Sequence, residues 1–488
     1  MEIMPLGFNH DVYDTNHVKQ NIGIRIANAF HKNTRESVIR RNVFFKKGDT
    51  FYALLVSDNE RFLREQPFLQ DALIVVYPAS MMTNEVDVIV LTRDVFSIGI
   101  SGSASNTSRI RGEIKEENLG GYGNRLSLTA LYDKDRRPGL GAGIEYTQRA
   151  MRKKWVLFNW TTGLTTFNPA IVNGRNEEYS LYTVIEKPFI TRYTEWTGSA
   201  SVAYHLTSDA YKLDTTYKNY DRYRYVDADA WIGYNMGFGR KKSTDNEKRI
   251  RHFFGMRGFY TRFHKIPDYY ETVYNYNYAN IRGGLMQYSI YRQNYYKTKF
   301  IYGFGRNEDV PIGFRGGATY GWTNKQGVER WYQGVDFEYS YYAKRGFYSL
   351  YTARFGGFKP PQSRMEDISL LLSVDHFTKI RWLNPRWLNR NFVSISYSKQ
   401  IHPSLNAPLV LQSEFGMPYS RVNAGPAEER TTVKLESVFY HTKKLIGFRF
   451  APFAFTDVSF LRPVGESFGK TNGYPAFGAG VRTRNENL

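Results

Sequence analysis

The chain has 488 residues and no cysteine. A disulfide framework, thiolate catalysis and cysteine-ligated metals are therefore excluded. Long hydrophobic runs are also absent. The longest wholly apolar run, residues 72–77, is far shorter than the roughly 20 residues that a membrane-spanning helix needs. Any residence of this chain in a membrane therefore depends on β-strands.

The sequence also lacks a catalytic or metal-binding constellation. The nine histidines are dispersed and form no H-E-x-x-H pair. The glycine clusters do not stand between a strand and a helix, as phosphate-binding loops and nucleophile elbows require. We therefore predict that the protein is not an enzyme, and that it has no catalytic residues, no cofactor and no metal ligands.

Aromatic residues, in contrast, are abundant. The chain contains 38 Tyr and 34 Phe, yet its mean hydropathy is −0.51, so aromatic and polar side chains must be interleaved. Transmembrane β-barrels have this composition, because their lipid face is apolar, their lumen is polar and aromatic belts lie at both interfaces. The alternative is a soluble sandwich or propeller with Tyr-rich strands, although no short propeller repeat is visible.

The formal net charge is +20 at pH 7. The basic residues are scattered over strands and loops and form no dense run, so nucleic-acid binding is not predicted. Lysines and arginines at strand ends can pair with the phosphate groups of an anionic lipid surface, and others can line a polar lumen. The charge therefore favours a membrane surface as a partner.

Alternation of apolar and polar residues indicates strands over most of the chain. In residues 124–132, Leu126 and Leu128 alternate with Arg125 and Ser127, which is the period of a β-strand. We expect the two leucines to face lipid and the other two side chains to face the lumen. Further strands are predicted at residues 140–147, 155–162, 179–185, 196–205 and 223–234. The residues after position 94 suffice for about sixteen antiparallel strands.

The first 94 residues have a different pattern. Asn33 and Glu36 have the spacing of a capping box, which predicts a helix, and Pro67 ends a second helix. The apolar face of this second helix is formed by Leu55, Phe62 and Leu63. Two strands follow, at residues 72–77 and 86–91. This order predicts a small α+β module before the barrel.

Several of these segments resemble a known family. VIRRNVFFKKGD at residues 38–49 and NERFLREQPFLQDA at residues 59–72 are similar to a polypeptide-transport-associated (POTRA) domain. IKEENLGGYGNRL at residues 114–126 resembles the early barrel strands of the BamA/TamA outer-membrane superfamily, of bacterial surface antigen type. Residues 86–97 are similar to the entry into the barrel, and residues 435–440, 453–460 and 477–484 are similar to later strands.

The resemblance implies an all-β transmembrane barrel preceded by one small α+β POTRA domain. The expected divisions are an N-terminal segment at residues 1–16, the POTRA domain at residues 17–94 and the barrel at residues 95–488, with closing strands expected beyond residue 488. The location implied is the outer membrane of a Gram-negative bacterium, with the POTRA domain in the periplasm. The partners implied are client outer-membrane or secreted polypeptides, assembly lipoproteins and anionic lipopolysaccharide.

In this superfamily a lid loop with a V/L-R-G-F/Y motif places an arginine in the lumen, beside carboxylates of neighbouring strands. By position, Gly416, Met417, Pro418 and Tyr419 stand where the motif is expected, so Met417 replaces the arginine. Glu436 and Asp457 match the carboxylate positions. Because unpaired carboxylates in a confined lumen are costly, we predict that Arg421, or failing that the rival lid arginine Arg315, lies within ion-pair distance of one of them.

The resemblance implies a factor that binds unfolded polypeptides and assists their insertion into, or passage across, the outer membrane. The loss of the lid arginine favours an alternative, an accessory or structural barrel that binds partner outer-membrane proteins. A diffusion channel is a third interpretation, for which a POTRA domain has no evident use.

Overall fold

The computed structural model describes residues 1–6, 32–80, 84–106, 108–153, 156–171, 177–189, 194–208, 210–211, 222–236, 250–301, 303–304, 307–403, 408–420, 422–443 and 448–485. It divides into two compact units. The first comprises Met1–Lys242 and Gly255–Gly284, and the second comprises Ser243–Phe254 and Leu285–Asn487. Among the described residues, no helix is both long and apolar enough to cross a membrane.

The first unit begins with a small α+β module. Its elements are β1 Glu2–Pro5, α1 Glu36–Arg41, α2 Ala53–Arg64, β2 Leu69–Pro78 and β3 Val86–Asp94. The sheet order is β1-β3-β2, with β1 parallel and β2 antiparallel to β3. The apolar sides of the helices pack on this sheet, and the core includes Ile3, Ile39, Leu63, Phe68 and Val90.

Three expectations for this module are corrected by the structure. Strand β1 and its buried Ile3 belong to the module, although residues 1–16 were assigned to a separate segment. Asn33 does not cap α1, whose N-cap is Arg35. Phe62, expected in the module core, packs instead against Phe44 and Ala150.

The module is fixed to the turn at residues 117–124 of the same unit. The Arg35 N–H donates to the Gly121 carbonyl at 3.0 Å, and the Asn118 side chain donates to the Thr34 hydroxyl at 2.9 Å. Gly121 has a φ of +81°, and a Cβ there would lie 2.6 Å from the Asn33 carbonyl oxygen. Glycine therefore permits the close approach of the two backbones.

The remaining strands of the first unit form an antiparallel sheet in which neighbours in sequence are neighbours in space. They are β4 Ile98–Asn106, β5 Arg109–Glu116, β6 Arg125–Asp133, β7 Leu140–Lys153, β8 Val156–Pro169, β9 Glu177–Lys187, β10 Trp196–Ser208 and β11 Arg224–Asn235. The division between the units passes through β12 Arg251–Lys265 and β13 Ile281–Thr298.

The second unit has the same antiparallel construction. Its strands are β14 Glu308–Lys325, β15 Val328–Tyr342, β16 Tyr348–Lys359, β17 Glu366–Phe377, β18 Arg381–Asn384, β19 Trp387–Ile401, β20 Ala427–His441, β21 Phe448–Pro463 and β22 Asn472–Asn485. Strand β17 pairs directly with β19, and the short β18 pairs only with the beginning of β19.

Short 3-10 turns occur at Leu119–Gly121, Asp268–Glu271, Tyr276–Tyr278 and Phe468–Lys470.

The strand count is higher than predicted. Strands β4 to β22 number nineteen in the described chain, where about sixteen were expected. Several connections are shorter than we assumed, such as the two-residue turn Gln326 and Gly327, which both have positive φ. The additional hairpin strand β18 also raises the count.

In each unit, one face of the antiparallel sheet is apolar and exposed. In the first unit a cross-strand row runs through Ile114, Leu128, Ile144, Leu164 and Leu181, all of which are at least 46% exposed. The residues next to this row along each strand lie on the opposite face. They form a row of Lys115, Ser127 and Glu145. Leu128 thus lies on the apolar face of β6 and Ser127 on the polar face, as the alternation predicts, and that the apolar face meets lipid stays a prediction.

In the second unit, the polar face includes the row Leu350, Asp375, Ser394, Lys434 and Asp457. The apolar face of the same strands exposes Leu372, Ile395, Leu435, Phe460 and Phe477.

Replacing Leu63 with alanine should destabilise the module by about 2–5 kcal/mol, because its side chain is completely buried in the core and truncation leaves a cavity. Pulse proteolysis of the full chain over a urea series measures this change, because a destabilised module is cleaved at a lower urea concentration. Phe51→Ala is the control, since Phe51 is 43% exposed and its loss should change stability by about 0.5 kcal/mol or less. Equal urea midpoints for the two variants would contradict this packing.

Candidate functional site

A cavity of about 840 Å³ lies against the polar face of the second unit. Its polar wall is formed by Asp375, Lys434, Glu436 and Asp457, which come from β17, β20 and β21. Its apolar lining is formed by Ile301, Val310, Tyr348, Phe377, Phe392, Phe453 and Phe455. Both predicted carboxylates thus border one cavity.

The predicted lid loop, between β19 and β20, makes a tight turn over this face. The amides of Gly416 and Met417 donate to the carbonyls of Ser413 and Leu411, at 3.0 and 2.8 Å. A Cβ on Gly416 would lie 2.3 Å from the Leu411 carbonyl oxygen. Only glycine therefore fits where Gly416 stands.

Met417 anchors the turn through apolar packing. Its side chain is 2% exposed and packs with Leu411, Ala427 and Leu461. An arginine at this position would place an unpaired charge among apolar groups, which is unfavourable. Met417 thus holds the loop in place without any ion pair.

Polar contacts join the loop to the strands beneath it. The Ser396 hydroxyl donates to the Phe415 carbonyl at 2.8 Å, and the Lys434 ammonium donates to the Glu414 carbonyl at 3.2 Å. Arg430, which is 4% exposed, donates to the Val410 carbonyl at 2.6 Å. The described part of the loop therefore lies on the polar face and does not project away from it.

Tyr419 connects the loop to the cavity. Its hydroxyl donates to Asp457 Oδ2 at 2.5 Å, and its ring meets the Phe455 ring edge to face. Asp457 is 6% exposed, so this hydrogen bond satisfies a buried carboxylate. Burial, followed by the hydrogen bond to Asp457, raises the pKa of Tyr419 above its ordinary value. We call the Tyr419–Asp457 hydrogen bond the latch.

The cation that pairs with Glu436 comes from a strand. Arg482, on β22, lies 2.8 Å from Glu436 Oε2, and its guanidinium also lies over the Phe453 ring, 4.4 Å from the centroid. Sequence reasoning missed this arginine, because β20 and β22 are separated by β21 and their relative register is not visible in the sequence.

Of the two arginines predicted as partners, Arg315 alone lies within the described residues. Arg421 lies outside the described residues. Arg315 lies within β14, opposite Glu338 of β15, and not in a loop. Pro311 lies in the same strand, since proline is tolerated near the beginning of a strand, where a donor is not needed.

The connection between β13 and β14 forms the other boundary of the cavity and was not predicted. The Tyr440 hydroxyl donates to the Ile301 carbonyl at 3.2 Å, and Arg449 donates to the Phe304 carbonyl at 3.0 Å. Ile301 and Phe304 are 3% and 7% exposed. Ile301 and Phe304 therefore lie against β20 and β21.

Within the described residues, no three His, Asp or Glu side chains are grouped so as to hold a metal ion. The cavity combines carboxylates, one ammonium and aromatic rings, and these groups suit non-covalent binding.

No protein-family model and no curated protein matches the chain. Among solved structures, it is similar to BamA from Haemophilus ducreyi lacking POTRA domains 1-3, with 10% identity over 92% of this chain and 82% of that chain and a TM-score of 0.35. It is also similar to CdiB from Acinetobacter baumannii, with 9% identity over 93% of this chain and 73% of that chain and a TM-score of 0.41. At these TM-scores the likenesses assign neither family nor activity.

Tyr419→Phe should loosen the loop, because it leaves the buried Asp457 carboxylate without its donor, at a cost of about 1–3 kcal/mol. The measurement is the rate of protease cleavage within the loop, with Tyr269→Phe, an exposed tyrosine, as control. Asp457→Asn in the Tyr419→Phe background should recover part of the loss.

The stability that the latch gives to the loop should depend on pH. Since the pKa of Tyr419 is raised in the folded loop, the latch contributes fully below the unfolded tyrosine pKa of about 10 and weakens as the pH rises above it. An identical cleavage rate for wild type and Tyr419→Phe would show that the latch does not hold the loop.

Proposed function

We propose that this chain is an outer-membrane β-barrel protein that binds unfolded client polypeptides and assists their insertion into, or passage across, the membrane. The observation that carries the proposal is the combination of a module with a strand edge and antiparallel sheets that expose an apolar face. We infer that the sheets close into a barrel, because an open edge in hydrocarbon leaves unpaired backbone groups that each cost several kcal/mol.

The apolar face supports the membrane part of this proposal. Rows of exposed Leu, Ile, Val and aromatic side chains, such as Leu128 and Ile144, continue from strand to strand on one face. A water-soluble protein rarely exposes apolar area of this extent. In a lipid environment this apolar face would not be exposed to water.

The module supports the client-binding part. Strand β2 is an edge strand, and an edge strand can bind an extended peptide by β-augmentation. The edge is partly protected, since the Ile74 amide donates to a carboxylate oxygen of Glu60 at 3.0 Å. A client strand must displace Glu60 to pair there, so we expect binding to be reversible.

The latch suits a contact that can open. A hydroxyl makes a single hydrogen bond to Asp457 and carries no opposite charge, whereas an arginine could pair with the carboxylate through two parallel N–H donors. We infer that the latch can open at modest cost when a client enters the cavity, while Met417 keeps the rest of the loop anchored.

The alternative function, an accessory barrel that binds partner outer-membrane proteins, is favoured by one observation. Met417 fixes the lid by apolar packing where the superfamily motif has its arginine. Depletion of the protein followed by proteomics of the outer membrane separates the two functions. An assembly factor predicts loss of several unrelated barrel proteins, whereas an accessory barrel predicts loss of its own partner alone. Single-channel conductance tests the channel interpretation.

A photo-crosslinking amino acid at position 77 should capture unfolded client polypeptides, because Tyr77 lies on the β2 edge strand and is 43% exposed. Position 51 is the matched control, since Phe51 is an equally exposed aromatic residue before α2. Gel analysis after irradiation in cells measures the adducts. Equal capture at both positions would contradict recognition by the strand edge.

A further inference from the structure

The second unit has one basic edge. Successive antiparallel strands reverse direction, so the turns after β13, β15, β17 and β20 lie along the same edge of the sheet. Exposed cations occur in every one of these turns. We call this set the basic rim, and its members are Lys299, Lys344, Arg345, Lys379, Arg381, Arg386 and Lys443.

Most of the basic rim has no acidic residue nearby. Residues 343–347, 376–413 and 442–447 contain no Asp or Glu. The turn after β13 differs, because the Glu308 carboxylate accepts from the Ile301 and Gly303 amides. Among the described residues, none of the rim cations forms an ion pair within 4.0 Å. Like charges that are close together repel one another, so the rim favours an anionic partner.

The opposite edge of the same unit provides an internal comparison. Its turns contain both signs of charge, and their charged residues are Arg364, Glu414, Arg421, Glu466 and Lys470. The cationic character therefore belongs to one edge and does not simply reflect the net charge of the chain.

Large apolar side chains accompany the rim cations. Trp382 and Leu383, on β18, are 67% and 55% exposed between Arg381 and Arg386. Strand β18 pairs only with β19, so this hairpin extends past the end of β17. The Thr442 amide donates to the Arg386 carbonyl at 2.9 Å, which joins the hairpin to the neighbouring turn.

We propose that the basic rim binds the phosphate headgroups of anionic phospholipid, with Trp382 and Leu383 inserted at the level of the headgroups. Charge complementarity supports this partner, because the rim is cationic along its whole length. Tryptophan beside arginine is typical of the boundary between membrane and water, and each cation near an anionic leaflet adds to binding. The apolar face of the same strands adjoins the rim, as a lipid boundary requires. This inference rests on the membrane location in the proposed function.

The experiment uses the full chain in phosphatidylcholine vesicles with and without phosphatidylglycerol. Lipids brominated near the headgroup quench tryptophan fluorescence, and the difference between wild type and Trp382→Phe isolates the signal of Trp382. We expect brominated phosphatidylglycerol to quench Trp382 more strongly than brominated phosphatidylcholine. In the variant R381Q/R386Q, the preference for phosphatidylglycerol over phosphatidylcholine should fall by about fivefold for each charge removed. In wild type, added salt should lower the same preference.

The matched control is R364Q/K470Q, which removes two exposed cations from the opposite edge and should keep the preference. Equal quenching by both lipids, or an unchanged preference in R381Q/R386Q, would overturn the proposal. Quenching by neither lipid would show that the rim faces water or another protein. Failure of the chain to reach a protease-protected form in pure phosphatidylcholine would contradict the membrane location itself, which separates the two conclusions.

Discussion

The fold depends on a single constraint, namely that each strand pairs its backbone with its neighbours while its side chains alternate between two faces. The ladder fixes which residues lie side by side, so one row across five strands is apolar and the adjacent row is polar. If β6 slipped by one residue, Leu128 and Ser127 would exchange faces. The cavity, the latch and the basic rim all require that the register is kept.

The loop between β19 and β20 shows how one register can hold two neighbouring carboxylates by different contacts. Met417 is buried and Tyr419 supplies a neutral donor to Asp457, while Glu436 takes its cation from Arg482 of β22. The two carboxylates are therefore satisfied separately, one by the loop and one by a strand. Withdrawing the loop breaks the latch, the hydrogen bonds from Ser396, Arg430 and Lys434 and the packing of Met417. It leaves the Glu436–Arg482 pair in place.

Local patterns predicted the strands of the first unit well, because alternation within β6 or β10 is a property of a few consecutive residues. They failed where the answer depends on distant segments. Arg482 meets Glu436 across an intervening strand, Phe62 packs on Ala150 outside its own module, and β1 joins the sheet from a segment read as separate. Glu436 and Asp457 could be singled out from the sequence as candidate carboxylates, but their partners depend on a three-dimensional register that the sequence does not display.

The central claim, that the apolar face meets lipid, can be tested because the chain has no cysteine. Single cysteines at consecutive positions 126–130 of β6, labelled with an environment-sensitive fluorophore, report their surroundings in phospholipid vesicles. We predict that labels at 126, 128 and 130 are quenched by nitroxide lipids, and that labels at 127 and 129 are quenched by aqueous iodide instead. Equal quenching at consecutive positions, or iodide access at position 128, would contradict a membrane-spanning strand.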